Sequence, residues 1–152
     1  MSSILFVCTG NVCRSPMAAG LLRAKLAAER PDCGPSVSSA GTWALDGQPA
    51  SANALAVMAE RDIDISDHIA HTVTSEDVAE ADLVLTMSQE HTEVIRQTWP
   101  QYIWKVYRLA EMTGKKKDVR DPYGESVDSY RDCADTISDY VDRGFARILS
   151  FL

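Results

Sequence analysis

Residues 4–16 of this 152-residue chain read ILFVCTGNVCRSP, and the architecture expected for the chain follows from them. The first four of these residues form a continuous apolar run, typical of a strand buried on both faces of a parallel sheet. A short loop from Cys8 to Arg14 follows the run. Ser15 is a good helix N-cap and Pro16 suits the first helical position, so a helix is expected to begin there. The stretch therefore predicts a strand, a tight loop and a helix in succession.

The same alternation continues along the chain. Further strands are predicted over residues 36–40, 83–85 and 105–107, and helices over 16–29, 50–61, 75–81, 88–98 and 126–152, with a polar loop at 114–124. Alternating strands and helices imply right-handed crossovers and a parallel sheet covered on both faces. We expect one α/β domain over residues 1–152, a three-layer fold with a four-stranded parallel sheet. Ligands in such folds bind beyond the carboxyl ends of the strands, where Cys8 is predicted to lie.

Charge and hydropathy exclude several classes of function. The formal net charge is −7, whereas a nucleic-acid-binding protein normally carries a basic face. No apolar stretch approaches the ~20 residues that cross a bilayer. The first residues lack the basic region and cleavage site of a signal peptide. We therefore expect a cytoplasmic protein that does not bind nucleic acid and does not span a membrane. We expect it to be a monomer or a weak dimer.

The four cysteines do not form a recognisable scaffold. They are Cys8, Cys13, Cys33 and Cys133, and they include no C-x-x-C pair. No histidine lies at zinc-finger spacing from them, and a disulfide-stapled protein would be shorter and richer in cysteine. We interpret them as reduced thiols and expect neither a metal nor a cofactor.

The loop between the first strand and the first helix has the parts of an anion site. Backbone N–H groups at a helix N-terminus point toward the loop, and the helix dipole adds partial positive charge. Gly10 and Asn11 tolerate a positive φ and allow a tight curl. Arg14 supplies a planar fork that can grip two phosphate oxygens. No Gly-Lys-Ser/Thr sequence follows, so this is not a nucleotide loop of the Walker type.

A cysteine at the mouth of an anion cradle indicates nucleophilic chemistry. Helix N-termini and neighbouring arginines favour the thiolate, which is the reactive form of cysteine. Cys8 would then be held beside a bound phosphorus atom by the groups that stabilise the transition state. The alternatives are a buried core thiol for Cys8 and a surface cation for Arg14. The combination of both residues between a buried strand and a Ser-Pro helix start favours catalysis.

Hydrolysis also needs a group that protonates the leaving group and later activates water. Asp121 lies in the polar loop before the last helix, and Pro122 restricts it to an extended conformation. Asp-Pro is also a common turn sequence. Asp121 is a candidate general acid because Cys8 and Arg14 are present as well.

These motifs together resemble those of the low-molecular-weight protein tyrosine phosphatases. Residues 8–16 match the C-x5-R-[ST] signature at the N-terminal location typical of that family, and residues 121–123 match its late Asp-Pro-aromatic motif. Residues 39–42 and 66–68 are similar to two further family landmarks. The resemblance covers essentially the whole chain and implies a flavodoxin-like, phosphotyrosine phosphatase I-like fold.

The resemblance implies a role for each matched residue. Cys8 would form a phosphocysteine, Arg14 would bind phosphoryl oxygens, and Asp121 would act as acid and then as base. The remaining implied binding and support residues are Thr9, Gly10, Asn11, Val12, Cys13, Ser15, Ser39 and His68. Among them Ser15 would hydrogen-bond the thiolate, while Asn11, Ser39 and His68 would hold the loop in shape. Cys13 resembles a second loop cysteine that can form a reversible disulfide with Cys8, the alternative being a packed thiol.

Substrate choice is less constrained by the sequence. Trp43 and Tyr123 could sandwich a phenyl ring, although Trp43 could equally be a half-buried packing residue. Residues 81–87 and 121–124 also look like the bacterial protein arginine phosphatase branch. That branch is associated with threonine at the position of Val12, and valine lacks the hydroxyl that a guanidinium group would need. We therefore favour phosphotyrosine over phosphoarginine in a phosphoprotein substrate, with inorganic phosphate as product.

Thiol-coupled arsenate reduction uses a related fold and loop and is a further alternative. It requires additional cysteines on a mobile segment, typically in the middle of the chain. No cysteine lies between Cys33 and Cys133, which disfavours this function.

Overall fold

The computed structural model describes residues 2–32 and 34–152, so the expected reduced state of Cys33 lies outside the described residues. The described residues form four strands: β1 (Ser3–Cys8), β2 (Ser36–Gly41), β3 (Leu83–Thr86) and β4 (Val106–Arg108). They also form five α-helices that connect or follow the strands: α1 (Arg14–Glu29), α2 (Ala52–Ala59), α3 (Ser75–Glu80), α4 (Gln89–Thr98) and α5 (Val127–Leu149). Short 3-10 helices, Pro100–Lys105 and Leu109–Thr113, flank β4.

The strands form one parallel sheet in the order β2-β1-β3-β4. The predicted α/β fold with a four-stranded parallel sheet is confirmed. The chain leaves β1 toward β2 on one side and later returns to β3 on the other side. The carboxyl end of β1 is therefore the switch point of the sheet, where parallel α/β folds bind their ligands. Cys8, the last residue of β1, pairs with Gly41, the last residue of β2.

Strand β1 contributes side chains to two separate cores. Ile4 and Phe6 are fully buried against α1, α2 and α5, whereas Leu5 and Val7 are buried on the other face against α3 and α4. Alternate residues of a strand point to opposite faces, so a strand with both faces covered must be apolar throughout. This explains the unbroken apolar run and fixes the position of the loop that follows it. Within the described residues, no helix has the length and apolar character to cross a bilayer.

The structure corrects the predicted start of the first helix. Helix α1 begins at Arg14, after Cys13, so the prediction of Ser15 as its N-cap is wrong. The hydroxyl of Ser15 contacts the sulfur of Cys8 instead, and the side chain of Cys13 makes no capping hydrogen bond. The N–H groups of the first turn are consequently left without a side-chain cap.

Other boundaries differ from the predictions by one to three residues, and the start of β4 and the end of α5 are two examples. Strand β4 begins at Val106 because Lys105 ends a 3-10 helix, and the buried Lys105 ammonium donates to the carbonyls of Ala79 and Ala81. Helix α5 ends at Leu149 rather than at the last residue. Both differences lie away from the loop after β1.

We predict that Gly41→Ala destabilises the fold at the end of β2. A Cβ atom at Gly41 would lie 2.3 Å from the carbonyl oxygen of Thr9, which belongs to the loop after β1. Relieving this overlap should lower the free energy of unfolding by about 1–3 kcal/mol, measured by urea denaturation.

Ser38→Ala, at an exposed position of the same strand, is the matched control and should change that free energy by less than about 0.5 kcal/mol. Wild-type stability of Gly41→Ala would contradict the close approach of β2 to the loop.

Candidate active site

The backbone of the loop after β1 is oriented by its carbonyl groups. Each carbonyl from Cys8 to Cys13 accepts a hydrogen bond, and the donors are the N–H groups of Thr42, Trp43, Leu45, Ser51 and Met17 and the ring of His68. In a trans peptide the N–H points opposite to the C=O. The N–H groups of residues 9–15 donate to no group of the described chain. They converge on the centre of the loop and form a cradle for an anion.

Asn11 is the internal brace of this loop. It is fully buried and has a φ of 60°, the left-handed region that asparagine tolerates better than most residues. Its Nδ2 donates to Ser15 Oγ at 2.8 Å and to Ser39 Oγ at 3.0 Å, and its Oδ1 accepts from the N–H of His71 at 3.0 Å. Asn11 therefore ties the curled loop to β2 and to the segment that carries His71.

His68 supports the same residue from outside the loop. Its Nε2 lies 2.6 Å from the carbonyl oxygen of Asn11, and because a carbonyl only accepts, this nitrogen carries the proton. Burial lowers the pKa of His68 from its ordinary value. The left-handed turn at Asn11 is thus held by hydrogen bonds on its side chain and on its carbonyl.

The sulfur of Cys8 lies in the loop beside a hydroxyl group. Cys8 Sγ is 2.9 Å from Ser15 Oγ, and Cys8 is almost fully buried. Ser15 Oγ accepts from Asn11, so its own proton is available to point at the sulfur. This arrangement suits a thiolate, which is the form that attacks an electrophile.

The guanidinium of Arg14 is fixed within the same cavity. Its Nη1 donates to the carbonyl of Val119 at 2.9 Å, and its Nη2 lies 3.4 Å from Thr9 Oγ1. Nη2 is also 3.5 Å from Asp121 Oδ2. These contacts hold the plane of the guanidinium without engaging all five of its N–H donors, so it can still bind an anion in the cradle.

Asp121 is placed over the cavity by a local turn. Its Oδ1 accepts from the N–H of Tyr123 at 3.0 Å, while 47% of its side chain is exposed. The loop is anchored beside it by a two-point ion pair between Arg120 and Glu125, with N–O distances of 2.9 and 2.8 Å. A carboxyl group therefore faces Arg14 while remaining in contact with solvent.

A cavity of about 200 Å³ opens above the loop. Its floor is formed by residues 8–14, and its walls carry Trp43, Leu45, Asp121 and Tyr123. Trp43 is 82% exposed and Tyr123 58%, so Trp43 is not a half-buried packing residue. With Val12 and Leu45 they make the walls apolar above a polar floor. Such a cavity can take a flat apolar group that carries a phosphate.

Cys13 lines the floor of the cavity, and its sulfur lies in a buried polar cluster with Tyr130 and Ser51. Its Sγ lies 3.1 Å from the hydroxyl of Tyr130 on α5 and 3.4 Å from Ser51 Oγ, and the two hydroxyls are 3.2 Å apart. Burial raises the pKa of the Cys13 thiol. Burial, with a smaller effect of the hydrogen bond to Cys13, raises the pKa of Tyr130 to about 12. Both groups are therefore protonated at neutral pH.

His91 is a polar residue of the site that the sequence analysis missed. It lies in the first turn of α4 and is 2% exposed. Its Nε2 is 2.8 Å from Thr9 Oγ1 and its Nδ1 is 3.0 Å from Ser88 Oγ. Burial, with a smaller contribution from the charge of Arg14, lowers the pKa of His91 to about 4, so the ring is neutral at neutral pH. Its position just after β3, the neighbour of β1, was the available signal.

The structure brings the predicted residues together in one place. Residues 8–14 with Trp43, Asp121 and Tyr123 line the cavity, and Ser15, Ser39 and His68 lie behind it in contact with Cys8 or Asn11. The sequence analysis did not identify Leu45, Ser51, His71, His91, Val119 and Tyr130. These residues act on the loop from other elements, and no local motif marks them.

Comparisons with known proteins agree on the family. A model of the low molecular weight phosphotyrosine protein phosphatase family matches residues 3–149. A probable low molecular weight protein-tyrosine-phosphatase, EpsP, of Ralstonia nicotianae is 40% identical over 148 residues, which cover 97% of each chain. A protein-arginine-phosphatase of Bacillus subtilis is 39% identical over 137 residues, covering 90% of this chain and 89% of the relative.

A solved structure shows the same fold. The YwlE arginine phosphatase, in a mutant form with a phosphorylated active-site serine in place of cysteine, superposes with a TM-score of 0.89. It is 36% identical in sequence, and the match covers 97% of this chain and 95% of that one. The chain therefore belongs to the low molecular weight phosphotyrosine protein phosphatase family and is a phosphatase of that fold.

Proposed function

We propose that this phosphatase removes the phosphoryl group from phosphotyrosine in proteins through a phosphocysteine on Cys8. One observation carries the proposal: the sulfur of Cys8 lies in a cradle of free N–H groups at the floor of a cavity with apolar walls. The cradle fits a phosphoryl group and the walls fit a phenyl ring. The proposed domain spans residues 1–152.

In the first step the Cys8 sulfur attacks phosphorus and the bond from phosphorus to the phenolic oxygen breaks. The inward N–H groups and Arg14 stabilise the charge on the three non-bridging oxygens. Protonated Asp121 donates its proton to the departing oxygen, so tyrosine leaves as a neutral phenol. The exposed position of Asp121, opposite the cradle, supports this role.

In the second step the Asp121 carboxylate accepts a proton from a water molecule whose oxygen attacks phosphorus. The sulfur–phosphorus bond breaks, inorganic phosphate forms, and Cys8 returns as a thiolate that the Ser15 hydroxyl stabilises. No cofactor takes part in either step. The similarity to a phosphatase whose active-site serine, in place of cysteine, carries a phosphoryl group supports a covalent intermediate at this position.

The apolar cavity walls support the choice of phosphotyrosine. On their side of the cavity, Val12, Trp43 and Leu45 offer no acceptor for a guanidinium group. The acceptors on the walls are the Asp121 carboxylate and the Tyr123 hydroxyl, so a guanidinium beside Val12 leaves an N–H without a partner. A buried N–H donor without a partner costs ~1–3 kcal/mol, so phosphoarginine should bind less well than an aryl phosphate. A nucleophilic thiol also requires a reducing compartment, and we place the activity in the cytoplasm.

Phosphoarginine is the second candidate substrate. One specific observation favours it: relatives named protein-arginine-phosphatase are 39% and 38% identical to this chain. Threonine at position 12 would add the missing acceptor. Val12 is therefore the residue at which the two candidates can be separated.

Val12 should decide between the two candidate substrates. The wild type should have a higher kcat/KM on a phosphotyrosine peptide than on a phosphoarginine peptide of matched sequence. Val12→Thr should shift this ratio toward phosphoarginine by roughly 10-fold, the equivalent of one restored hydrogen bond. Val12→Ile, which keeps an apolar wall, should retain the preference for phosphotyrosine.

Cys8→Ala is the control that links the activity to this site, and it should abolish turnover of both peptides. A wild-type preference for phosphoarginine would establish the second candidate instead. An unchanged ratio in Val12→Thr would show that selectivity lies elsewhere.

Asp121 should be needed most for esters with a poor leaving group. Asp121→Asn should lower kcat on phenyl phosphate by about 10²–10⁴-fold, because phenolate needs a proton to leave. The loss should be smaller on p-nitrophenyl phosphate, whose leaving group departs readily as an anion. Steady-state kinetics on both esters measure the difference.

Glu90→Gln makes the same carboxyl-to-amide change at an exposed residue near this edge of the sheet and serves as the control, with nearly unchanged kinetics. An equal loss on the two esters would exclude Asp121 as the acid of the first step.

A further inference from the structure

A chain of polar contacts runs behind the phosphate-binding loop. It begins at Ser88, the N-cap of α4, whose Oγ lies 3.0 Å from His91 Nδ1. It continues from His91 Nε2 to Thr9 Oγ1 at 2.8 Å and from Thr9 Oγ1 to Arg14 Nη2 at 3.4 Å. The chain joins the start of α4 to the guanidinium that faces the substrate cavity.

The chemistry of the groups limits the direction of these hydrogen bonds. Arg14 only donates, so Thr9 Oγ1 accepts from it. Thr9 Oγ1 still has a hydroxyl proton and a second lone pair, and a neutral imidazole can accept the first or donate to the second. In either tautomer the ring fixes the rotamer of Thr9. The hydroxyl oxygen of Thr9 is thereby held in one place, where it accepts a hydrogen bond from Arg14.

Arg14 needs such a restraint because it borders open space on two sides. It lines the cavity above Cys8, and it also lines a second cavity of about 310 Å³ that includes Thr9, Ser88, His91, Asp118 and Asp121. A long side chain between two cavities can turn toward either. The carbonyl of Val119 holds Nη1, whereas Nη2 lies between Thr9 Oγ1 at 3.4 Å and Asp121 Oδ2 at 3.5 Å. Of these two contacts of Nη2, Thr9 is the one that belongs to the phosphate-binding loop.

We propose that His91 is a positioning residue that holds the Arg14 guanidinium, through the Thr9 hydroxyl, in the orientation that binds the phosphoryl oxygens. This inference rests on the proposed function of Arg14 and adds a residue from a distant element. The pKa of His91, lowered to about 4 mainly by burial, supports the geometry because a neutral ring acts as a hydrogen-bond partner and not as a second cation.

The test combines three substitutions. His91→Phe keeps an aromatic ring without polar atoms, His91→Gln keeps a polar group able to reach Thr9, and Thr9→Val keeps the shape of threonine without its hydroxyl. For each variant and for the double variant Thr9→Val/His91→Phe, kcat and KM on phenyl phosphate are measured together with the inhibition constant of inorganic phosphate and Tm.

His91→Phe and Thr9→Val should each lower kcat/KM by roughly 10–100-fold, as expected for a lost hydrogen bond in a charged site, with most of the loss in kcat. Phosphate should bind about 10-fold more weakly in both. The double variant should be no worse than the poorer single variant, because the two residues act as one unit. His91→Gln should retain kcat/KM within about 3-fold.

Two results would overturn the inference: unchanged phosphate affinity in His91→Phe, or a loss in the double variant equal to the product of the single losses. If His91→Phe does not fold, ¹⁵N NMR of the His91 ring decides the question. Inorganic phosphate should then shift the Nε2 signal in the wild type and leave it unshifted in Thr9→Val. A shift that persists in Thr9→Val would contradict the role of the hydroxyl.

Failure of this inference is distinguishable from failure of the proposed function. Phosphate affinity can be compared between Cys8→Ala and Cys8→Ala/His91→Phe by calorimetry, without any turnover. If the wild type hydrolyses no aryl phosphate, the proposed function is wrong. If the wild type is active and the His91 variants have its phosphate affinity, only the role of His91 is overturned.

Discussion

The outward hydrogen bonding of the carbonyls from Cys8 to Cys13 is the constraint on which the site depends. A peptide unit cannot turn its C=O outward without turning its N–H inward. Because the carbonyls from Cys8 to Val12 have donors elsewhere in the fold and that of Cys13 accepts from Met17 in α1, the loop presents a set of N–H groups to one point. Without these hydrogen-bond donors, nothing would hold the N–H groups of the loop in their inward orientation. The loop would then bind no anion beside Cys8 and Arg14.

The fold supplies these partners from elements that are distant in sequence. The end of β2 and the residues after it hold the first half of the loop, residues 51 and 68 hold its second half, and α5 holds Cys13 through Tyr130. The parallel sheet makes this possible because it brings the carboxyl ends of β1, β2 and β3 to one edge. The left-handed conformation of Asn11 is tolerated there because three side-chain hydrogen bonds fix it. Rigid support of this kind keeps the donors in place before the substrate arrives, which is how a polar site stabilises a transition state.

Much of this could be predicted from local sequence, and the missing parts have a common physical cause. Three local signals predicted the fold and the centre of the site: the apolar run before Cys8, the alternation of strands and helices, and the guanidinium of Arg14 after the loop. The N-cap prediction for Ser15 failed because capping propensity describes a helix in isolation, whereas Ser15 has the sulfur of Cys8 beside it. His91, Val119 and Tyr130 were missed because they reach the loop across 82 or more residues, and for His91 the one signal in the sequence was its position just after β3.

We infer that the loop makes Cys8 a nucleophile toward phosphorus. The most direct measurement is rapid denaturation of the enzyme during turnover of an aryl phosphate, followed by mass spectrometry of the peptide that contains Cys8. The account predicts the added mass of one phosphoryl group on Cys8 in the wild type and none in Cys8→Ala. An enzyme that turns over the aryl phosphate fully but carries no phosphoryl group on Cys8, under conditions in which the phosphocysteine should accumulate, would contradict this role of Cys8.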